Sequence, residues 1–172
     1  MHDQQVSVSR VIDASPEAIF ETVSSPAMHS VIDGSGTVRG ERFGPDRLTA
    51  VGDSFGMRMK FKGIPYRMKS TVKEFEANRL IAWAHFNGHR WRYELEEVDG
   101  GTKVTETFDW STARSPKSIE LMGYPKVHPA NMEATLERLD AHQGRVEPGM
   151  SSQLSQHSVR STPLQPSRTA SE

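Results

Sequence analysis

Residues 56–72, GMRMKFKGIPYRMKSTV, alternate apolar and basic positions almost without error. Met57, Met59 and Phe61 fall on one parity, and Arg58, Lys60 and Lys62 on the other. A period of two is the mark of a half-buried strand, and Gly63-Ile64-Pro65 reads as a turn into a second strand. Folding that hairpin with Phe61 opposite Tyr66 sets Met59 beside Met68 and Met57 beside Ser70 on the inner face. The same register sets Arg58 against Lys69 and Lys60 against Arg67 on the outer face. Methionine is flexible and polarizable, so a Met-rich inner face favours an adaptable apolar site.

The same reading extends along the chain. Val6, Val8 and Val11 mark a first strand over residues 5–13. Ser15-Pro16-Glu17 then opens a helix through an N-cap, a proline at the first helical position and an acid in the first turn, with Ile19, Phe20 and Val23 as its buried stripe. Ser25-Pro26 opens a second short helix that ends near Ile32. After a turn at Asp33–Gly36, weaker strands are expected at 37–43 and 47–51, and the methionine hairpin follows. Residues 80–86 and 89–98 form two further strands. They are joined at Asn87-Gly88 by a bulged turn that places Trp83 near Trp91 and Ile81 near Tyr93. Asp99-Gly100-Gly101 leads into a last strand, 102–110, with Val104, Glu106, Phe108 and Trp110 on one face. Ser115-Pro116 caps a helical region expected to break at Gly123-Tyr124-Pro125 and to restart at Pro129. Its stripe is Met132, Leu136 and Leu139, and Gly144 is its stop. One strand, two short helices, a meander of about six strands and a long helix imply an α+β fold, an antiparallel sheet with its helices on one face.

Composition refines this picture. The chain has 172 residues, enough for one domain with a sizeable core. From Glu147 onward it is rich in Ser, Gln, Pro and Thr, so the expected organisation is a domain over 1–146 and a disordered tail over 147–172. Without cysteine there is neither a disulfide nor thiol catalysis. No leader or long apolar run is seen, and a cytoplasmic protein without stable membrane insertion is expected. The net charge of −1 argues against general nucleic-acid binding, although residues 39–92 are basic.

Three stretches carry a resemblance: ASPEAIFETVSSPAMHSVIDGSG, HRWRYELEEVDGGTKVTETFDWS and MGYPKVHPANMEATLERL. Over residues 4–145 the chain resembles the START-like or SRPBCC superfamily, and in particular its polyketide cyclase/dehydrase and lipid-transport-like group. The resemblance implies a helix-grip fold, a curved sheet of six to seven strands around a long C-terminal helix, with an apolar cavity between them. It specifies the fold well and the chemistry poorly, because the family includes carriers, receptors, cyclases and cochaperones.

The inward parities propose a lining of Met57, Met59, Tyr66, Met68, Trp83, Trp91 and Phe108, closed by Met122, Tyr124 and Met132 from the helix side. The alternative is that these residues simply fill a core. Glu106, on the apolar parity of its strand, is the sharpest point, a carboxyl whose desolvation favours the neutral form. With Tyr93 and His85 it makes the candidate acid/base set, unless a bulge at the Gly-Gly turn swings it outward. His29, Asp33 and His128 fall in loops that could rim an entrance. No metal spacing joins the histidines, and neither a nucleophile elbow nor a phosphate loop is present, so neither metal nor cofactor is expected. Three functions fit: binding or carrying a small hydrophobic molecule, a cyclase/dehydrase-type enzyme, and a cochaperone-like module that offers Arg58, Lys60, Arg67 and Lys69 to an acidic partner. Oligomeric state leaves no signal.

Overall fold

A computed structural model describes residues 4–146; the Ser/Pro/Gln-rich segment 147–172 lies outside the described residues. Strands β1 (Gln5–Ile12), β2 (Val38–Phe43), β3 (Ser54–Phe61), β4 (Ile64–Glu76), β5 (Leu80–Ala84), β6 (Arg90–Val98) and β7 (Gly101–Asp109) form one curved antiparallel sheet. Its order is β1-β7-β6-β5-β4-β3-β2. Helices α1 (Pro16–Val23) and α2 (His29–Ile32) follow β1, with a 3-10 turn at Pro26–Met28 between them. After β7 come α3 (Pro116–Leu121) and the long α4 (Tyr124–Val146). The sheet grips α4, which buries Met132, Leu136 and Leu139 as the stripe predicts.

The local signals act as their chemistry requires, with some corrections. Ser15 accepts a hydrogen bond from the Ala18 N–H at 3.2 Å and starts α1. Ser25 and Ser115 stand before prolines in the same way, but neither side chain caps its helix. The strand expected at 47–51 is a loop. The Asp53 carboxylate accepts the N–H groups of Thr49 and Ala50, and Leu48 N–H goes to Ser24 O, so these donors are unavailable to a sheet. The break in the C-terminal helical region falls at Gly123, whose φ of 77° ends α3. From Tyr124 the helix runs through Pro129 and past Gly144. Pro129 lies early enough in α4 that the donor it lacks leaves one carbonyl near the N-terminus without its partner.

The methionine hairpin turns earlier than expected. Lys62 (φ 47°) and Gly63 (φ 85°) form a two-residue turn, and positive φ at both central positions suits the twist of antiparallel strands. Phe61 therefore faces Ile64, Met59 faces Tyr66, Met57 faces Met68 and Phe55 faces Ser70. On the outer face Arg58 faces Arg67 and Lys60 faces Pro65. The shift is of two residues, so every side chain keeps its expected face.

At Asn87-Gly88 the turn is the bulged form. Gly88 N–H bonds His85 O at 2.9 Å, and Ile81 and Trp83 pair with Tyr93 and Trp91. The first partner of β5 on β4 is Thr71, facing Ala84. From Ile64 to Ser70 β4 has β3 on one side and no strand on the other, and the hairpin projects beyond the end of β5.

Candidate functional site

The inner face of the sheet brings most of the proposed lining together. Met57, Trp83, Tyr93, Phe108 and Met132 are buried; Met59, Met68, Trp91 and Tyr124 are half-buried. Tyr66 is 38% exposed, and Met122, at 65%, stands outside the interior on the α3–α4 corner. Met122 caps the end of α3 just before the Gly123 break and is left in solvent, not closed over the sheet. The hairpin ladder thus grades from Phe55–Ser70, both buried, to Phe61–Ile64, both exposed.

Where an open hollow was expected, rings lie on rings. Trp83 stacks on His29 at 4.9 Å and on Tyr93 at 5.6 Å between centroids. Phe108 meets Trp91 at 4.9 Å, Trp110 at 5.5 Å and His128 at 4.4 Å. Two concavities of about 660 and 390 Å3 open at the opposite end of the sheet, around Pro16, Glu17 and Glu97, and hold none of the proposed lining residues.

Glu106 points inward. The β6–β7 ladder runs without a bulge from Val98↔Gly101 to Arg90↔Asp109, so the parity of β7 is kept and Glu106 is only 3% exposed. Its Oε2 is buried without a hydrogen-bond partner. Burial pushes the carboxyl up to about 8, with the Tyr93 hydroxyl opposing and the charge of Asp33 adding to the rise. At neutral pH this is largely a carboxylic acid, able to donate. Tyr93, its partner across the ladder, is itself raised well above the usual phenol range by burial and by Glu106.

Four histidines from three distant parts of the chain, α2, the β5–β6 turn and α4, meet the same interior. His85 bonds the Ser70 hydroxyl through Nδ1 at 2.9 Å, and its ring lies 5.0 Å from that of His89. Burial, together with His89, His128 and His29, pushes His85 down to about 3. Burial, and then His89, brings His128 to about 4; it stacks on Tyr124 at 5.3 Å. His29 is lowered by burial, against the Val23 carbonyl, which its Nε2 meets at 2.9 Å, and the charge of Asp33. His89 is lowered by burial, and its Nδ1 is buried without a partner. Residue-by-residue reading passed over His89, although it lies on the parity of Trp91 and Tyr93 and that signal could have found it.

Asp33 is committed to its own loop, its carboxylate accepting Ser35 N–H and Val38 N–H. Among the described residues no three His, Asp or Glu side chains are placed to hold a metal ion. The site is a wall of aromatic and thioether groups carrying two unanswered polar atoms, Glu106 Oε2 and His89 Nδ1. It can supply a neutral acid and neutral imidazole bases.

The family model described as polyketide cyclase/dehydrase and lipid transport matches residues 3–144. A relative from Mycobacterium tuberculosis, the uncharacterized protein Rv0088, is 42% identical over 145 residues, which cover 80% of this chain. The chain spans 64% of that relative's length. Among solved structures, a crystallised protein from Rhodobacter sphaeroides aligns with a TM-score of 0.65 at 17% identity, over 84% of this chain and 94% of that one. An AHSA1-like protein from Aeromonas hydrophila aligns at 0.58 and 21%, over 80% and 93%. At those identities the structural likeness concerns the fold.

Proposed function

The chain belongs to the polyketide cyclase/dehydrase and lipid transport family, and on that premise we propose that it binds a small hydrophobic molecule, lipid- or polyketide-like, between the inner face of the sheet and α4. One observation supports this most: a carboxyl buried on an apolar wall, neutral at neutral pH and with an oxygen unanswered. An isolated buried polar atom of this kind is costly, and a guest carrying a carbonyl or hydroxyl would satisfy it. The guest enters along the hairpin ladder past Met59, Met68 and Tyr66, and the rings of Trp91, His128 and Tyr124 part to admit it. The flexible methionines re-pack around it. Native mass spectrometry of the purified full chain tests this. A bound small molecule whose hold weakens when Met57→Trp fills the interior supports the reading, and a guest retained at full occupancy by that variant refutes it.

A second reading, an enzyme of the cyclase/dehydrase type, draws on the acid and base forms present together. Glu106 and Tyr93, both carrying their protons at neutral pH, could donate to the oxygen of a bound carbonyl compound, while the neutral imidazole of His85, a weak base after burial, accepts a proton from its carbon, with positioning supplying much of the acceleration. Glu106→Gln separates the two: affinity kept with turnover abolished means enzyme, whereas turnover in neither form leaves a carrier.

A further inference from the structure

Between Ser54 and Lys73 lie six cations, Arg58, Lys60, Lys62, Arg67, Lys69 and Lys73, and no acid. All six are exposed, and among the described residues none of them takes part in an ion pair. At the tip of this hairpin the exposed Phe61 and Ile64 face each other, with Lys62 Nζ 5.5 Å from the Phe61 ring. The apolar tip has company. The four most exposed large apolar side chains of the described residues are Leu121 (90%), Phe86 (76%), Ile64 (69%) and Met122 (65%). Phe86 sits in the β5–β6 turn, at the same end of the sheet as the hairpin tip. Leu121 and Met122 sit on the α3–α4 corner, where Tyr124 comes close enough to Tyr66 to raise its phenol, after burial and ahead of Asp33.

We propose that this end of the molecule docks on an anionic phospholipid bilayer. Phe61 and Ile64 enter the interface, and Lys60, Lys62, Arg58 and Arg67 meet lipid headgroups around them. A cluster of unpaired cations next to protruding apolar side chains matches an acidic surface with a greasy interior. A purely polyanionic partner would answer the cations and leave Phe61, Ile64 and Phe86 in water. Docking places the open end of the hairpin ladder against the bilayer, where a hydrophobic guest could pass without crossing water. That consequence rests on the ligand reading above; the docking itself does not.

The test is co-flotation of the full chain with vesicles of phosphatidylcholine alone or mixed with phosphatidylserine. The chain is expected on the mixed vesicles, to be absent from pure phosphatidylcholine, and to be released by added salt. Each cation near such a surface strengthens partitioning by roughly fivefold, so Lys60→Gln with Lys62→Gln should lower it more than tenfold. Phe61→Ser with Ile64→Ser should do the same while melting stays unchanged, since both sites are exposed. Equal recovery on both vesicle types overturns the proposal. So does loss in the charge variant alone with equal affinity for polyuridylate, which means nucleic acid, or a tip variant that turns a dimer into a monomer without any vesicle binding, which means a second copy. A retained guest with failed flotation leaves the ligand reading standing and ends this one.

Discussion

Tyr93 and Glu106 face each other across the β6–β7 ladder at the buried centre of the sheet, and the phenol is the group that eases the carboxyl's isolation while Oε2 remains without a partner. The relationship has a cost in stability that depends on pH, and the histidines around it have the opposite dependence.

Glu106 is raised from 4.5 to about 8, so over that window the folded state holds a proton that the unfolded chain has released. Its contribution is complete below about 4.5 and is lost as pH rises through about 8, by at most about 1.4 kcal/mol per pH unit. His85 and His128 are lowered from 6.5 to about 3 and about 4, so their contribution is complete above 6.5 and is lost as pH falls towards those values. Stability should therefore peak near pH 6.5, which urea denaturation across pH will show. Glu106→Gln should flatten the alkaline limb and steepen the acid limb between about pH 4.5 and 6.5, where Glu106 opposes the histidines; an unchanged alkaline limb means that Glu106 is not desolvated.

Tyr93→Phe removes the hydroxyl that lowers the Glu106 carboxyl and leaves its burial intact. The carboxyl should titrate at a higher pH still, by about one unit. Carbon-13 NMR of labelled glutamate follows it directly, and a downward shift in the variant contradicts the pairing.

Gly34 lies against α4. A Cβ there would stand 2.3 Å from Asn131 O and 2.4 Å from Thr135 N, both backbone atoms, and Gly34 N–H bonds the Thr135 hydroxyl at 2.9 Å. Gly34→Ala must push α4 from the loop between α2 and β2. A loss of about 3 kcal/mol or more is expected from the urea midpoint.

Gln143, buried on α4, donates to the Thr22 hydroxyl at 2.9 Å and ties the end of the long helix to α1. Gln143→Ala removes the bond and leaves a void, for an expected loss of roughly 1–3 kcal/mol. Gln143→Leu fills the space, and Thr22 keeps its bond to Ala18 O, so the leucine variant should be the more stable of the two. Thermal melts of both variants decide it.

Much of the site could be read in the linear order of residues. That Glu106 faces inward follows from Val104 and Phe108 on either side of it, because alternation along a strand is a local property. His89 obeys the same rule, standing on the parity of Trp91 and Tyr93. The meeting of His29, His85, His89 and His128 had no local signal, since α2, the β5–β6 turn and α4 lie far apart in the chain.

The faces of the strands, the start of α1 and the stripe of α4 rest on periods and caps that span a few residues, and these the amino-acid order settles alone. The methionine hairpin kept its faces through a two-residue shift of register because the side-chain period is two. Folding had to decide which residues stand opposite, why 47–51 is a loop, and where Pro129 falls within α4. Each depends on donors and surfaces brought from elsewhere: Asp53 and Ser24 for the loop, the Lys62-Gly63 turn for the register, the Gly123 break for the helix. Whether the interior stands open was decided the same way, by aromatic rings from five elements closing on one another, a contact that no spacing along the chain records.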